Sequence, residues 1–199
     1  LIPTCEMRCV WQRRLFRFAR ANALLEAAET YFLEVGYETF SMAQLAKRTG
    51  VVKGTLYLYF KTREELFLTL YEQSLTRWSQ AFISNLFDSM TSEAYAQALY
   101  LTAIADGMFL PLLIRLEHVI EHNVAIESLI ESKRIFIERV DHIAEQTASI
   151  LDMTRSQASE LVGTMGVLLV GATMTDQRPS LAGEAIPPDI QELIDSFSS

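Results

Sequence analysis

Apolar residues recur at intervals of three and four along most of the 199 residues. That is the spacing of a buried stripe on an α-helix, and the points where it breaks divide the chain into elements. A first helix is expected from about residue 14 to 35, with Leu25, Ala28 and Phe32 on one face, Gly36 at its end, and Tyr37 and Phe40 packing the corner. A short helix follows from Ser41, a good N-cap, with Gln44 three residues on to complete a capping box. Met42, Leu45 and Ala46 share its apolar face, while Lys47 and Arg48 suit the negative end of the helix dipole. Gly50 sits where a helix end wants positive φ, and Val51 can tuck between the helices. A second short helix, about Val52 to Phe60, turns Leu56 and Phe60 inward and leaves Lys53, Thr55, Tyr57, Tyr59 and Lys61 on or near the outside. Those outward groups are donors and cations, the types that meet phosphates and base edges. The pair reads as a helix-turn-helix with its second helix as reader.

The rhythm then lengthens. Thr62 is expected to cap a long helix with Glu64 and Glu65 in its first turn, and Leu66, Phe67, Leu70, Tyr71, Leu75 and Trp78 keep the helical period to about Phe87. A polar break at Asp88–Ser92 precedes helices at about 93–106, 109–122, 126–151, 155–176 and 187–198. Asp106-Gly107, Asn123, Asp152-Met153-Thr154 and Arg178-Pro179 punctuate them, and 180–188 reads as a linker. No strand pattern, internal repeat, Gly-rich phosphate loop or nucleophile elbow intervenes, so the fold class is all-α and no cofactor is called for.

The stretch from Leu24 to Phe67 resembles the N-terminal domain of the tetracycline-repressor (TetR) family of transcriptional regulators. The run G-x-x-x-G-T-L-Y-x-Y-F-K from Gly50 to Lys61, followed by R-E-E-L-F, carries the likeness. It implies an N-terminal arm and helix-turn-helix DNA-binding domain over 1–62, and a helical ligand-binding and dimerisation domain over 63–199. The expected DNA-contacting set is Arg13, Arg14 and Arg17 from the arm with Ser41, Met42, Thr49, Lys53, Gly54, Thr55, Tyr57, Tyr59 and Lys61. One departure stands out: Val52 occupies a position that is often small and polar in the family, which removes an N-cap from the reading helix.

Charge changes the picture in the same direction. The net charge of -8 is unevenly spread: residues 1–65 hold 10 Lys and Arg against 7 Asp and Glu, and residues 66–199 hold 7 against 18. Phosphate attraction is local, screened within about 10 Å at ordinary salt, so a polyanion belongs at the basic N-terminal end. Arg8, Arg13, Arg14, Arg17 and Arg20 read either as a solubilising tail or as an arm touching phosphates or the minor groove. Cys5 and Cys9 read as two free thiols near a chain end in preference to a redox pair or half a metal site. A reducing cytoplasm fits, and no signal peptide is apparent. The uncharged run Leu161–Thr175 is 15 residues with three glycines, short of the roughly 20 needed to span a bilayer, so no membrane partner is expected.

Candidate chemistry in the body is of three kinds. His118-Val119-Ile120-Glu121-His122 matches H-x-x-E-H, which opens an alternative as a zinc-dependent hydrolase with Glu121 as base. That motif also needs a third ligand and its own fold, so chance on an acidic helix accounts for it better. The density of large soft side chains suggests an apolar cavity, which the family resemblance places between the fourth and eighth helices. Its expected lining is Trp78, Phe82, Tyr95, Tyr100, Met108, Phe109, Arg115, Phe136 and Met165, with Glu117 and Asp106 as further polar groups. Gly163, Gly166, Val167, Val170 and Met174 fall on one stripe of the 155–176 helix, either as core or as a dimer seam. The resulting expectation is a homodimeric regulator, a repressor released from a near-palindromic double-stranded operator by a small apolar or amphipathic effector. A ligand-independent DNA-binding activator is the other non-enzymatic alternative.

Overall fold

The computed structural model describes residues 5–176 with 187 and 188, and side chains from Phe18 to Met174. Apart from Pro187 and Pro188, the expected helix at 187–198 and the 180–188 linker therefore lie outside the described residues, as do the side chains of Cys5, Cys9, Arg8, Arg13, Arg14 and Arg17. Within them eight α-helices follow one another and no strand occurs.

Helix α1 runs Cys5–Thr39, starting earlier than expected, and is interrupted at Gly36. There the backbone takes φ 73° and ψ 177°, which a Cβ would oppose. The break turns Tyr37 and Phe40 under the next helices, as the sequence suggested. Helix α2 is Met42–Thr49 and ends on Gly50 at φ 65°, whose N–H bonds the Lys47 carbonyl while that of Val51 reaches Ala46. The Ser41–Gln44 capping box does not form: the Ser41 side chain makes no cap bond, and its carbonyl simply accepts from Leu45 N–H at 3.0 Å. Helix α3 is Lys53–Tyr57, shorter than the expected 52–60. Its last turn tightens, with Leu58 N–H on Thr55 and Tyr59 N–H on Leu56, and this carries Phe60 into the core.

Helix α4, Arg63–Ser84, is capped by Thr62, whose hydroxyl accepts from Glu65 N–H at 3.0 Å. Glu65 returns a bond to Lys61 N–H at 2.8 Å, so the entry is clamped from both sides. The first half of α4 is built into the head. Phe67 is fully buried against Phe32, Tyr37 and Phe40, with ring centroids 5.7, 4.7 and 4.9 Å away. Its second half packs on the body, made of α5 (Ser92–Ala105), α6 (Phe109–Arg115), α7 (Ile126–Ile150) and α8 (Arg155–Asp176). The expected 109–122 helix is not uniform. After α6 the chain widens to a π-helical turn, Leu116–Ile120, and then tightens to a 3₁₀ turn, Glu121–Asn123. Such changes of pitch store local strain and recur at functional sites. Among the described residues no single helix is long and apolar enough to cross a membrane.

Candidate DNA-reading face and body cavity

The outer surface of α2 and α3 is set by what the inner surface must bury. Leu45 and Leu56 are fully buried and Phe60 nearly so, which fixes the roll of both short helices. Val52, Lys53, Gly54, Tyr57 and Lys61 are consequently exposed, and Thr55 and Tyr59 half-buried. Lys53 Nζ lies 5.8 Å from the Tyr57 ring centroid. Met42, expected among the DNA contacts, is turned inward and buried, because it shares the apolar face of α2 with Leu45 and Ala46. Thr49 spends its hydroxyl on the Leu45 carbonyl of its own helix at 2.9 Å. Arg48 turns back to pair with Glu34 and to lie 4.2 Å over the Tyr31 ring. Val52, noted in the sequence only for a missing cap, is 77% exposed at the entry to α3.

In the body, α4, α5, α6 with its following turns, α7 and α8 line a partly open cavity of about 410 Å³. Of the expected lining, Trp78, Phe109 and Phe136 reach it, as does Glu117 among the expected polar groups. The others do not, for separate reasons. Phe82 and Met108 are sealed in the core, and Tyr100 stands half-exposed on α5. Tyr95 and Met165 line a second, more polar cleft beside the Asp88–Ser92 and Asp152–Met153 loops. Arg115 is drawn away to Glu38 at 3.2 Å, and Asp106 is engaged by Arg77 at 3.1 Å. Sequence reasoning missed Tyr71, Leu75, Leu99, Val140 and Ile143, which do line the cavity. No local signal separates them from core residues, since a cavity wall and a packed core have the same helical period.

One side of the cavity is aromatic. Phe109 stacks on Trp78 at 4.4 Å and faces Tyr71 at 6.5 Å, both nearly parallel. Tyr71 Oη, Ser74 Oγ and Trp78 Nε1 are buried on this side of α4 without a hydrogen-bond partner. Burial pushes the Tyr71 phenol above its ordinary pKa, with Glu121 and Glu72 adding to the rise, so it stays protonated as a donor. At the polar end stand Glu117, His118, Glu121, Ser132 and Lys133. Lys133 Nζ meets Glu121 at 2.6 Å, and burial holds Glu72, bonded to Ser132, above the usual carboxylate range. Of the H-x-x-E-H residues, His118 lines the cavity, His122 does not, and the Glu121 carboxylate is held by Lys133. Among the described residues no group of three or more His, Cys, Asp or Glu could hold a metal ion.

The stripe Gly163, Gly166, Val167, Val170 and Met174 borders this same cavity from α8. A Cβ on Gly163 or Gly166 would meet nothing within 4 Å, and Val167 and Met174 are 73% and 54% exposed. Two contacts tie the cavity segment to the head. Arg115 bonds Glu38 and lies 5.0 Å over the Tyr37 ring, and Thr62 donates its hydroxyl to the Asn123 carbonyl at 3.1 Å. The stretch between Arg115 and Asn123 carries Glu117, His118 and Glu121 on the cavity.

Residues 24–70 match the family model described as bacterial regulatory proteins of the tetR family, and residues 72–190 match that of a tetracyclin repressor-like C-terminal domain. The chain is 26% identical over 132 residues to a fatty acid metabolism regulator protein of Bacillus subtilis, covering 65% of this chain and 62% of that one. It is 34% identical over 85 residues to the transcriptional repressor ComR of Escherichia coli, 43% of this chain and 40% of that one. The matches thus span less than two thirds of these relatives. A TetR-family transcriptional regulator of Pectobacterium atrosepticum has the same fold, with a TM-score of 0.60 at 15% identity, over 92% of this chain and 91% of that one.

Proposed function

The chain belongs to the tetR family of bacterial regulatory proteins; on that premise we propose that it is a DNA-binding transcriptional regulator that acts as a homodimeric repressor released from a near-palindromic operator by a small apolar or amphipathic effector. Members of this family are transcriptional regulators and not enzymes. They bind DNA and small-molecule effectors and act as dimers. The finer assignment divides the chain at about residue 62, with a reading head before it and a ligand and dimer body after it. The head contacts DNA through Lys53, Gly54, Thr55, Tyr57, Tyr59 and Lys61, joined by Ser41 and Thr49 at the edge and by Arg13, Arg14 and Arg17 from the arm. The effector sits against Trp78, Phe109 and Phe136, and the partner protomer covers the Gly163–Met174 stripe. Chromosomal DNA makes the cytoplasm its place of work.

The observation that carries this reading is the pair of ties between cavity and head. A ligand that favours another course of the 116–123 turns acts at the same time on Arg115–Glu38 and on Thr62–Asn123. The two heads of a dimer then lose the spacing of successive major grooves. Symmetry is required on energetic grounds. Each good base contact discriminates by about 1–3 kcal/mol and one short helix makes few of them, whereas operators are preferred over bulk DNA by roughly 4–10 kcal/mol.

The test is selection of bound DNA from a random pool, then footprinting and solution mass on the selected site. A two-fold site with half-sites about one helical turn apart is expected, protected by a dimer and released by ligand. A monomer protecting an asymmetric site at full affinity overturns the dimeric reading. Ligands that stabilise the body yet leave operator affinity unchanged overturn induction.

A further inference from the structure

We propose that Val52 selects thymine: its γ-methyl groups meet the C5 methyl of one thymine in the major groove of each half-site. The inference rests on the reading of the chain as an operator-binding regulator and adds a residue outside the contact set given there.

Three observations point there. First, Val52 is 77% exposed, the most exposed large apolar side chain among the described residues. Its neighbour Val51 packs against the core, so one valine holds the turn and the other stands clear of it. Second, Val52 is the N-cap of α3, with extended backbone at φ -70° and ψ 139° and a carbonyl that accepts from Thr55 N–H at 2.7 Å. Serine, threonine, aspartate or asparagine would stabilise the helix start there through a side-chain oxygen, and valine has none. The side chain thus serves neither the core nor the helix. Third, Val52 opens the reading helix, whose first residues meet base edges when such a helix lies in the major groove. Lys53, Gly54 and Tyr57 are exposed after it, and a Cβ on Gly54 would meet nothing within 4 Å, so the surface beside Val52 is open. A major groove offers this side chain one kind of partner. Base edges there present donors and acceptors, and thymine adds a methyl group. Against a phosphate or a polar edge valine would displace water and return no hydrogen bond. Against the methyl it removes apolar surface from water on both sides.

The experiment takes the operator selected from a random pool and replaces its thymines by deoxyuridine, one position at a time in both half-sites together. That removes the methyl and keeps every hydrogen bond of the base pair. Operator affinity and melting temperature are measured for the full chain and for Val52→Ala, Val52→Ser and Leu58→Ala. At one thymine the unsubstituted chain should lose about fourfold per half-site, the worth of one buried methyl group, and so about fifteenfold in all. Val52→Ala and Val52→Ser should bind the thymine and uracil forms within about twofold of each other. Leu58, 73% exposed at the C-terminal end of α3, is the control, and Leu58→Ala should keep the uracil effect in full. The melting temperature should be unchanged in Val52→Ala and unchanged or higher in Val52→Ser, since serine supplies the cap that valine lacks.

The proposal is overturned if the operator holds no thymine whose methyl matters, if Val52→Ala or Val52→Ser retains the effect, if Leu58→Ala abolishes it, or if either valine variant melts below the unsubstituted chain. A preferred operator bound without regard to thymine methyls defeats this inference and leaves the regulator reading standing. A pool that yields no preferred sequence defeats that reading, and this inference with it.

Discussion

In the proposed reading head, short helices close over a filled aromatic core centred on Phe67, and the polar side chains left over form the surface proposed to meet DNA. In the body, longer helices border a cavity of about 410 Å³, and the surface proposed to meet the effector is the inside. The two halves use the same residue types to opposite ends. Phe67 fills space between Phe32, Tyr37 and Phe40. Phe109 and Trp78 stack on each other and leave space beside them. A site made of outward residues is assigned once the inward ones are known. A site made of inward residues is assigned only when the packing of several helices shows where it fails to be complete.

The largest test of this contrast is truncation of a ring on each side. Phe67→Ala should cost about 3–5 kcal/mol, the usual range for a large buried ring, and should abolish DNA binding by unfolding the head. Phe109→Ala should cost less, because one side of that ring already borders open space. Thermal denaturation of both variants checks the order, and an equal loss would mean that the cavity wall is packed as tightly as the head.

Next in size is Gly166→Arg. A Cβ there meets nothing within 4 Å in the protomer, so the fold should survive. A bulky charge on the α8 stripe should nevertheless break the dimer and lower operator affinity about a hundredfold, with nonspecific DNA binding changed far less. Solution mass and titrations on operator and random duplexes measure both. A dimer of unchanged operator affinity would place the seam elsewhere.

Smaller again is Lys61→Ala in the head. Its ammonium is exposed beside the reading helix while its backbone N–H is held by Glu65. Binding should weaken on all sequences alike, and the salt dependence should become shallower by about one unit. A loss confined to one base position would make Lys61 a base reader.

The smallest effect belongs to Glu72, behind the cavity. Burial raises its pKa above the ordinary glutamate value, with a Ser132 hydrogen bond acting against the rise. The charged form is thus disfavoured in the folded state. Stability is greatest while Glu72 is protonated and falls as pH rises from the ordinary glutamate value of 4.5 through the raised one. Glu72→Gln should flatten that decline and slightly raise the melting temperature at neutral pH. A steeper decline in the variant would show that the carboxylate is favoured when charged.

Legible in the residues alone were the helical class and the family, through the Gly50–Lys61 run, and most of the helix breaks within the described residues, through caps and breakers such as Thr62, Gly36 and Gly50, though not the start of α1 or the ends of α3, α4 and α6. These are local properties: a cap bond or a positive φ depends on a few neighbouring residues. The sequence also determined the outward set on α3, since a short amphipathic helix leaves its polar positions only one place to go. It misassigned Met42, which period alone puts on the inner face of α2. Contacts between distant segments set the rest: Arg115 turns to Glu38, the 109–122 segment changes pitch at Leu116, and Phe82 and Met108 are sealed in the core while Tyr71 and Ile143 belong to the cavity wall. A cavity is the place where several helices fail to meet. That failure depends on crossing angles and side-chain volumes summed over distant parts of the chain, and no window of sequence contains it.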